Sequence, residues 1–222
     1  MFVKDYMTRH PIMIEPDKRV TEAQKLMSEN KIRHLPVVGD GKRLIGMVTR
    51  ARLQIPPDRL GSLNIWEITR LLSSLAVKDV MLKGADLHTI SPNATIEEAA
   101  ELMIQHKIGG LPVVEDGIVV GIITETDLLV ELQNLLGAIE PGWRIVMRVP
   151  DRDGESVRLS SALVEKGWGI ISLGCVRTPK QNDKWDIVLK VQGVSDKNNL
   201  MAVLNNIGDQ EVIDVRKANV MR

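Results

Sequence analysis

The stretch "KIRHLPVV" (residues 31–38) decides the fold, because the chain contains it a second time as "KIGGLPVV" (residues 107–114). Two flanking segments are repeated as well, "VKDYM" as "VKDVM" and "LIGMVT" as "VVGIIT". The offset between the copies stays between 74 and 76 residues along this whole region. A period of this length that occurs twice predicts a pair of domains rather than a solenoid.

Both copies predict the element order β-α-β-β-α. A short extended segment ends at a proline, and Thr21 or Thr95 then precedes a helix. Gln24 and Glu98 stand three residues after these threonines, which is the spacing of a capping box. "LPVV" begins a strand, Asp-Gly indicates a hairpin turn, and an apolar return strand leads into another helix. Between the copies, residues 61–76 predict a connector helix.

The last part of the chain, residues 141–219, has a different pattern. Four predicted strands, "WRIVMRVP", "GIISLGCVRT", "WDIVLKVQGV" and "EVIDVRKA", alternate with two helices. The first of these helices is predicted with four apolar positions, Val157, Leu159, Leu163 and Val164. The order βαββαβ is that of a ferredoxin-like fold, so the whole chain is predicted to mix α/β and α+β domains.

Composition excludes several classes of function. Lys and Arg together number 29, as do Asp and Glu, so no global field would attract nucleic acid or an anionic membrane. No apolar run has transmembrane or signal-peptide length, and we expect a soluble cytoplasmic protein. Cys175, the only cysteine, lies in an apolar strand pattern that predicts a buried, inert thiol. Metal-ligand spacing is absent around the four histidines, His10, His34, His88 and His106, so no metal site is predicted. No catalytic motif is present either, so no catalytic site is predicted.

The repeats resemble a tandem pair of CBS domains, the regulatory module named after cystathionine β-synthase. The resemblance implies two βαββα units packed as a pair, with repeats at residues 1–60 and 77–136 joined by the connector. In the region 141–219, the turn "VPDRDGES" resembles that of an ACT domain, a small regulatory fold that often binds amino acids, although Asp153 replaces the usual proline. A CBS pair followed by an ACT-like domain resembles the acetoin-utilisation B family.

The heptad "GIITETD" (residues 121–127) is the main candidate for ligand binding. It ends a strand and begins a helix, where the Thr124 hydroxyl and the first N–H groups favour a phosphate. The Asp127 carboxylate only accepts hydrogen bonds, which suits two adjacent ribose hydroxyls. The same spacing is also a capping box of the kind that begins ordinary helices. The resemblance to CBS domains implies that Thr124 and Asp127 contact ribose and phosphate.

A base slot and a phosphate contact complete the expected nucleotide site. The slot is expected at His88, Ile108, Gly109, Gly110, Leu111 and Pro112. Its glycines lack a Cβ, so a ring could approach the backbone closely, although a tight bend is the alternative. The resemblance implies that phosphate is met from the partner repeat, at Arg33 and His34, and Arg33 could donate two parallel hydrogen bonds.

The first copy of the heptad, "GMVTRAR" (residues 46–52), predicts an altered second site. It keeps Thr49 but ends in Arg52, which cannot accept hydrogen bonds from a diol. Buried hydroxyls left unpaired cost roughly 1–3 kcal/mol each. We therefore predict one competent nucleoside site and one altered site, which is empty or uses Arg52 to hold a phosphate or a neighbouring carboxylate. An exposed helix arginine is the alternative.

These observations predict a non-enzymatic sensor that needs no cofactor. Its expected ligand, in the cleft between the CBS repeats, is an adenosine nucleotide such as AMP, ADP or ATP, or the related S-adenosylmethionine. The ACT-like domain could hold an amino-acid carboxylate through backbone N–H groups of the turn at Asp151, Asp153 and Gly154, or serve as a dimerisation module. A homodimer is expected because CBS pairs commonly associate through helices. The alternatives are a ligand-free scaffold and an enzyme of small-metabolite conversion, for instance in acetoin metabolism.

Overall fold

A computed structural model of the chain describes residues 1–53 and 74–218. The chain divides into two compact units, Met1–Leu128 and Leu129–Arg222, and each is described by itself. Most of the predicted connector helix, residues 61–73, lies outside the described residues. No helix in the described ranges is long and apolar enough to cross a membrane.

The first unit contains two copies of one arrangement, as the sequence repeat predicts. Each copy has a helix, an antiparallel pair of strands and a second helical segment. The first copy consists of α2 (Val20–Glu29), β2 (His34–Val38), β3 (Leu44–Thr49) and a helical turn (Arg50–Leu53). The second consists of α4 (Ile96–His106), β4 (Gly110–Glu115), β5 (Ile118–Thr124) and the first turn of α5 (Glu125–Leu135). Each of the helices α2 and α4 buries an alanine and a methionine one turn apart, namely Ala23 and Met27 in α2, and Ala99 and Met103 in α4.

The short helices that open the copies pack against the opposite copy. The helix α1 (Val3–Tyr6) places Val3 in the core of the second copy, and α3 (Val77–Val80) places Val77 in the core of the first. Each of these valines donates its N–H to a carbonyl of that opposite copy, at 2.8 Å. The strand β1 (Thr8–Arg9) then pairs antiparallel with β5. The helices α1 and α3 are thus exchanged between the copies. As a result, the residues that follow β1 and α3 lie near the strand ends of the opposite copy.

The helices α2 and α4 begin differently, although their sequences align. Thr95 caps α4: its hydroxyl accepts from the Glu98 N–H at 3.2 Å, and the Glu98 carboxylate accepts from the Thr95 N–H at 2.7 Å. The capping prediction for Thr21 is wrong, because Arg19 is the N-cap of α2 and makes no side-chain cap. Thr21 already lies inside the first turn, and Gln24 instead donates to a carbonyl of the turn after β3 at 2.8 Å.

The second unit has the predicted order βαββαβ. Its elements are β6 (Gly142–Pro150), α6 (Glu155–Val164), β7 (Gly169–Arg177), β8 (Lys184–Gln192), α7 (Lys197–Asn205) and β9 (Glu211–Ala218). The strands form one antiparallel sheet in the order β7-β8-β6-β9. Leucines of both helices pack against the alternate residues of the central strands β6 and β8, and this contact forms the core of the unit.

Two predictions for this unit require correction. Leu159 and Leu163 are fully buried, but Val157 and Val164 are 65% and 60% exposed, so only half of the apolar positions on α6 face the core. Cys175 is exposed rather than buried. It lies on β7, which is one of the two edge strands of the sheet, and edge strands have a neighbour on one side only.

The end of α5 is anchored within the second unit by a buried lysine. Gly137 follows the helix with a φ of 62°, and its carbonyl accepts a hydrogen bond from Lys190 Nζ at 2.6 Å. Lys190 is only 3% exposed, and burial lowers the pKa of its ammonium group, opposed by the charge of Glu140. An ammonium group at a helix C-terminus is favourably placed in the field of the helix dipole.

Candidate functional site

Two cavities lie between the two copies of the first unit, one at the end of each return strand. The first has a volume of about 360 Å³ and includes Thr124, at the end of β5, and Asp127, in the first turn of α5. The second has a volume of about 270 Å³ and includes Thr49, at the end of β3. Because α1 and α3 are exchanged, each cavity combines the strand end of one copy with a loop of the other.

Asp127 has one carboxylate oxygen in a helix cap. Its Oδ2 accepts from the Thr124 N–H and from the Thr124 hydroxyl, both at 2.7 Å. Within the described part of the chain, no hydrogen bond reaches the other oxygen, Oδ1. The capping interpretation and the ligand-binding interpretation are therefore compatible, since the cap uses one oxygen and leaves an acceptor beside the cavity.

His34 lines both cavities. It lies against the backbone of the two glycines predicted for the base slot. A Cβ on Gly110 would stand 3.3 Å from His34 Cγ and Nδ1, and one on Gly109 would stand 3.4 Å from His34 Cε1. Burial lowers the pKa of His34, the charge of Arg33 lowers it further, and Glu125 opposes the shift. The glycines thus make room for a side chain of this protein.

The predicted nucleotide-site residues are divided between the two cavities. Thr124 and Asp127 share the first cavity with Arg33 and His34. The second cavity is lined by Thr49, His34 and four residues predicted for the base slot, namely His88, Ile108, Gly109 and Gly110. The remaining two, Leu111 and Pro112, are buried in β4 and line neither cavity. Arg52 is exposed, and its neighbour Ala51, not Arg52, lines the second cavity.

Sequence reasoning missed several residues of the first cavity. Thr8, His10 and Lys31 all line it. The first two arrive with β1, whose pairing with the second copy has no local signal in the sequence. The signal for Lys31 was available, because the repeated stretch starts with "KI" in both copies and Lys107 lines the second cavity in the same way.

The turn predicted to bind an amino acid lies beside a third cavity, of about 300 Å³, in the second unit. Asp151, Asp153 and Gly154 line it, as does Cys175 from the facing strand. Asp151 is already engaged, because its carboxylate accepts from Arg177 at 2.9 Å and from the Trp185 indole at 2.7 Å. These hydrogen bonds, that from Arg177 first, lower the pKa of Asp151.

Glu155 closes one wall of this third cavity and is only 4% exposed. Burial raises the pKa of its carboxyl group, but hydrogen bonds from Gln210, Arg152 and Arg158 outweigh burial and leave the pKa lowered. The Gln210 amide donates to the Glu155 carboxylate at 2.6 Å, and Arg158 donates to it at 3.0 Å. The carboxylate is thus held ionised, with partners from three directions.

Metal ligation finds no support in the described ranges. Residues 1–53 and 74–218 hold no group of three or more His, Cys, Asp or Glu side chains that could bind a metal ion. His88 and His106 do meet, with ring centroids 3.6 Å apart, but they stack face to face at an angle of 21°.

Two copies that exchange their first helices and enclose paired cavities define a tandem-repeat domain pair, and comparison with known proteins identifies its family. The CBS domain model matches residues 3–54 and 77–134. The CBS domain-containing protein YhcV of Bacillus subtilis (strain 168) is 30% identical over 128 residues, covering 58% of this chain and 83% of YhcV. The chain belongs to the family of CBS-domain proteins.

Solved structures and longer relatives share the repeat region. A Vibrio cholerae protein assigned to acetoin utilization (AcuB) superposes with a TM-score of 0.51 at 35% identity, covering 62% of this chain and 93% of that one. The inosine-5'-monophosphate dehydrogenase of Korarchaeum cryptofilum (strain OPF8) is 35% identical over 126 residues. That match covers 56% of this chain and only 23% of the dehydrogenase, so the chain spans less than a quarter of that relative.

Proposed function

We propose that this protein is a non-enzymatic regulator that binds an adenosine nucleotide in the first cavity. The observation that carries the proposal is that Thr124 and Asp127 share this cavity with Arg33 of the opposite copy. Asp127 Oδ1 is an acceptor for a ribose diol, since the helix cap occupies only Oδ2. The resemblance of this Thr and Asp to the ligand-binding residues of CBS domains supports the same assignment.

The rest of the cavity suits the other two parts of a nucleotide. The N-terminus of α5 favours a phosphate group, and the Arg33 guanidinium can donate two parallel hydrogen bonds to it. The cavity also has an apolar wall, which replaces the base slot predicted from the sequence. This wall comprises Pro11, Ile12, Ile32 and Ile122. A flat adenine ring would bury apolar surface against these side chains.

The second cavity is proposed as the altered site. Thr49 is present, but the position equivalent to Asp127 is Arg52, which is exposed and does not line the cavity. The carboxylate that Asp127 supplies three residues after Thr124 therefore has no counterpart three residues after Thr49. A nucleoside bound there would lose its main polar partner, so one nucleotide per chain is expected.

The second unit is proposed to be an ACT-type domain. Its βαββαβ order and its cavity beside Asp151, Asp153 and Gly154 support this assignment. We propose residues 141–219 for this domain, residues 1–60 and 77–136 for the CBS repeats, and residues 61–76 for the connector. The domain would bind an amino acid or join two chains as a homodimer. Similarity to AcuB supports a regulatory role in acetoin utilisation.

The dehydrogenase relatives do not make this chain an enzyme, because the match to them covers only their CBS regions. A ligand-free scaffold is the remaining alternative, and calorimetric titration of the full chain with AMP, ADP and ATP tests it. We expect Asp127→Ala to weaken binding by about tenfold or more, because a charged acceptor for two hydroxyls is lost. Arg52→Ala should stay within about twofold of the wild type.

Loss of the helix cap is a second effect of Asp127→Ala, and Glu98→Ala controls for it. Glu98 caps α4 with the same carboxylate-to-N–H bond but lines neither cavity. Equal weakening by Glu98→Ala and Asp127→Ala would reduce Asp127 to a capping residue. Absence of binding to all three nucleotides would favour the scaffold.

A further inference from the structure

Two lysines that follow the equivalent helices α2 and α4 have an unusual backbone conformation. Lys31, just after α2, has a φ of 54°, and Lys107, just after α4, has a φ of 53°. This left-handed conformation at a helix end usually belongs to glycine, because a Cβ disfavours it. Lys31 lines the first cavity and Lys107 the second. Each of these two lysines thus places an ammonium group in the lining of a cavity from a backbone position where glycine would be less strained.

The first cavity has more cationic than anionic side chains in its lining. The cationic ones are Lys31 and Arg33. Asp127 is the single carboxylate among its described lining residues, and one of its oxygens is occupied by the cap. Within the described ranges, neither Lys31 nor Arg33 forms an ion pair with a carboxylate. Both charges are therefore available to an anionic ligand.

The second cavity lacks this excess. Lys107 lines it, but so does the carboxylate of Asp86, and the position equivalent to Arg33 is Gly109. Each cavity thus has one lysine and one carboxylate in its lining, and the first cavity has one arginine in addition. A ligand with several negative charges gains more from the first cavity than from the second, because Coulomb attraction grows with the product of the charges.

We propose that the first cavity selects a nucleoside diphosphate or triphosphate, and that Lys31 determines this selection. The proposal rests on the nucleotide-binding function proposed above and narrows its ligand class. Thr124 and the N-terminus of α5 would bind the phosphate group nearest the ribose. Lys31 and Arg33 would bind the phosphate groups further from the ribose. S-Adenosylmethionine carries a positive sulfonium in place of phosphate and is disfavoured by the same charges.

Calorimetric titration of the full chain tests this selection, with ATP, ADP, AMP and S-adenosylmethionine at one fixed ionic strength and without divalent cations. We expect ADP and ATP to bind about tenfold more tightly than AMP, since each added phosphate contact is charge-assisted. S-Adenosylmethionine should bind more weakly than AMP. Equal or tighter binding of AMP or S-adenosylmethionine would overturn the selection and leave the nucleotide site standing. No binding of any of the four would overturn both.

The variant Lys31→Gly tests whether Lys31 causes the preference for ADP over AMP. Glycine relaxes the left-handed backbone, so this variant should have a higher melting temperature and yet prefer ADP over AMP by only about threefold or less. Lys42→Gly is the matched control, because Lys42 has a φ of 62° and lines neither cavity. It should also raise the melting temperature and keep the full preference. An unchanged preference in Lys31→Gly would contradict the role of Lys31.

Discussion

The two copies of the first unit are alike in their cores and different where they face each other. Met27 and Met103 are buried at equivalent places, and both return strands end in threonine. At the start of β2, however, the first copy has His34 where the second copy has Gly110 at the start of β4. The His34 ring fills the space beside that glycine. The comparison shows that the two copies share a fold because their core residues are alike. The residues between the copies are different, and the residues predicted to form one nucleotide site line two unequal cavities instead.

Replacing Gly110 by histidine, the residue at the equivalent position of the first copy, should have the largest effect on stability. Gly110→His would put a Cβ 3.3 Å from the His34 ring and a second imidazole into the same space. We expect a loss of about 3 kcal/mol in the free energy of unfolding, because an overfilled core forces neighbouring side chains and backbone to move. Urea unfolding of the full chain measures this loss.

The exchange variant His34→Gly with Gly110→His is the control for this experiment. It keeps one imidazole and one glycine at the meeting point and reverses only which copy supplies each. We expect it to recover at least about half of the stability that Gly110→His loses, since coupled neighbours are not additive. If the double variant is as unstable as the single one, the cost does not come from the crowding between these two positions.

The helix starts give a second, smaller difference between the copies. Thr95→Ala should cost about 1 kcal/mol of unfolding free energy, because the cap of α4 loses its acceptor. Thr21→Ala should cost no more than about 0.5 kcal/mol, since Thr21 is not a cap. Thermal or urea unfolding distinguishes the two. Equal costs would mean that the cap contributes nothing beyond the loss of a threonine.

The smallest expected effect concerns pH. The pKa of His34 in the fold lies below its ordinary value of 6.5, so the unfolded chain binds a proton more readily there. Stability should therefore fall as the pH drops below about 6.5, and stop falling below the folded-state pKa. His34→Gln should flatten this part of a melting-temperature profile between about pH 7.5 and pH 5.5. His10→Gln, which leaves His34 in place, should retain the slope.

Local patterns made most of the fold predictable. The repeat, the hairpins and the βαββαβ order of the second unit follow from short-range periodicity and turn residues, and the structure has all of them. Thr124 and Asp127 were also predicted this way, because their spacing is a local feature of a strand end, and both line one cavity. The predictions failed where exposure depended on distant elements, as for Cys175 on its edge strand and Val164 on α6.

The sequence by itself determined that the chain holds two copies of one unit followed by a βαββαβ domain, and that Asp127 and Arg52 differ between the copies. Only the tertiary structure decided that α1 and α3 are exchanged, that His34 lies against Gly110, and that Lys31 and Arg33 join Asp127 around one cavity. The physical reason is the distance along the chain. Periodicity reports what neighbouring residues do, whereas cavities are formed by contacts between segments that no local pattern connects.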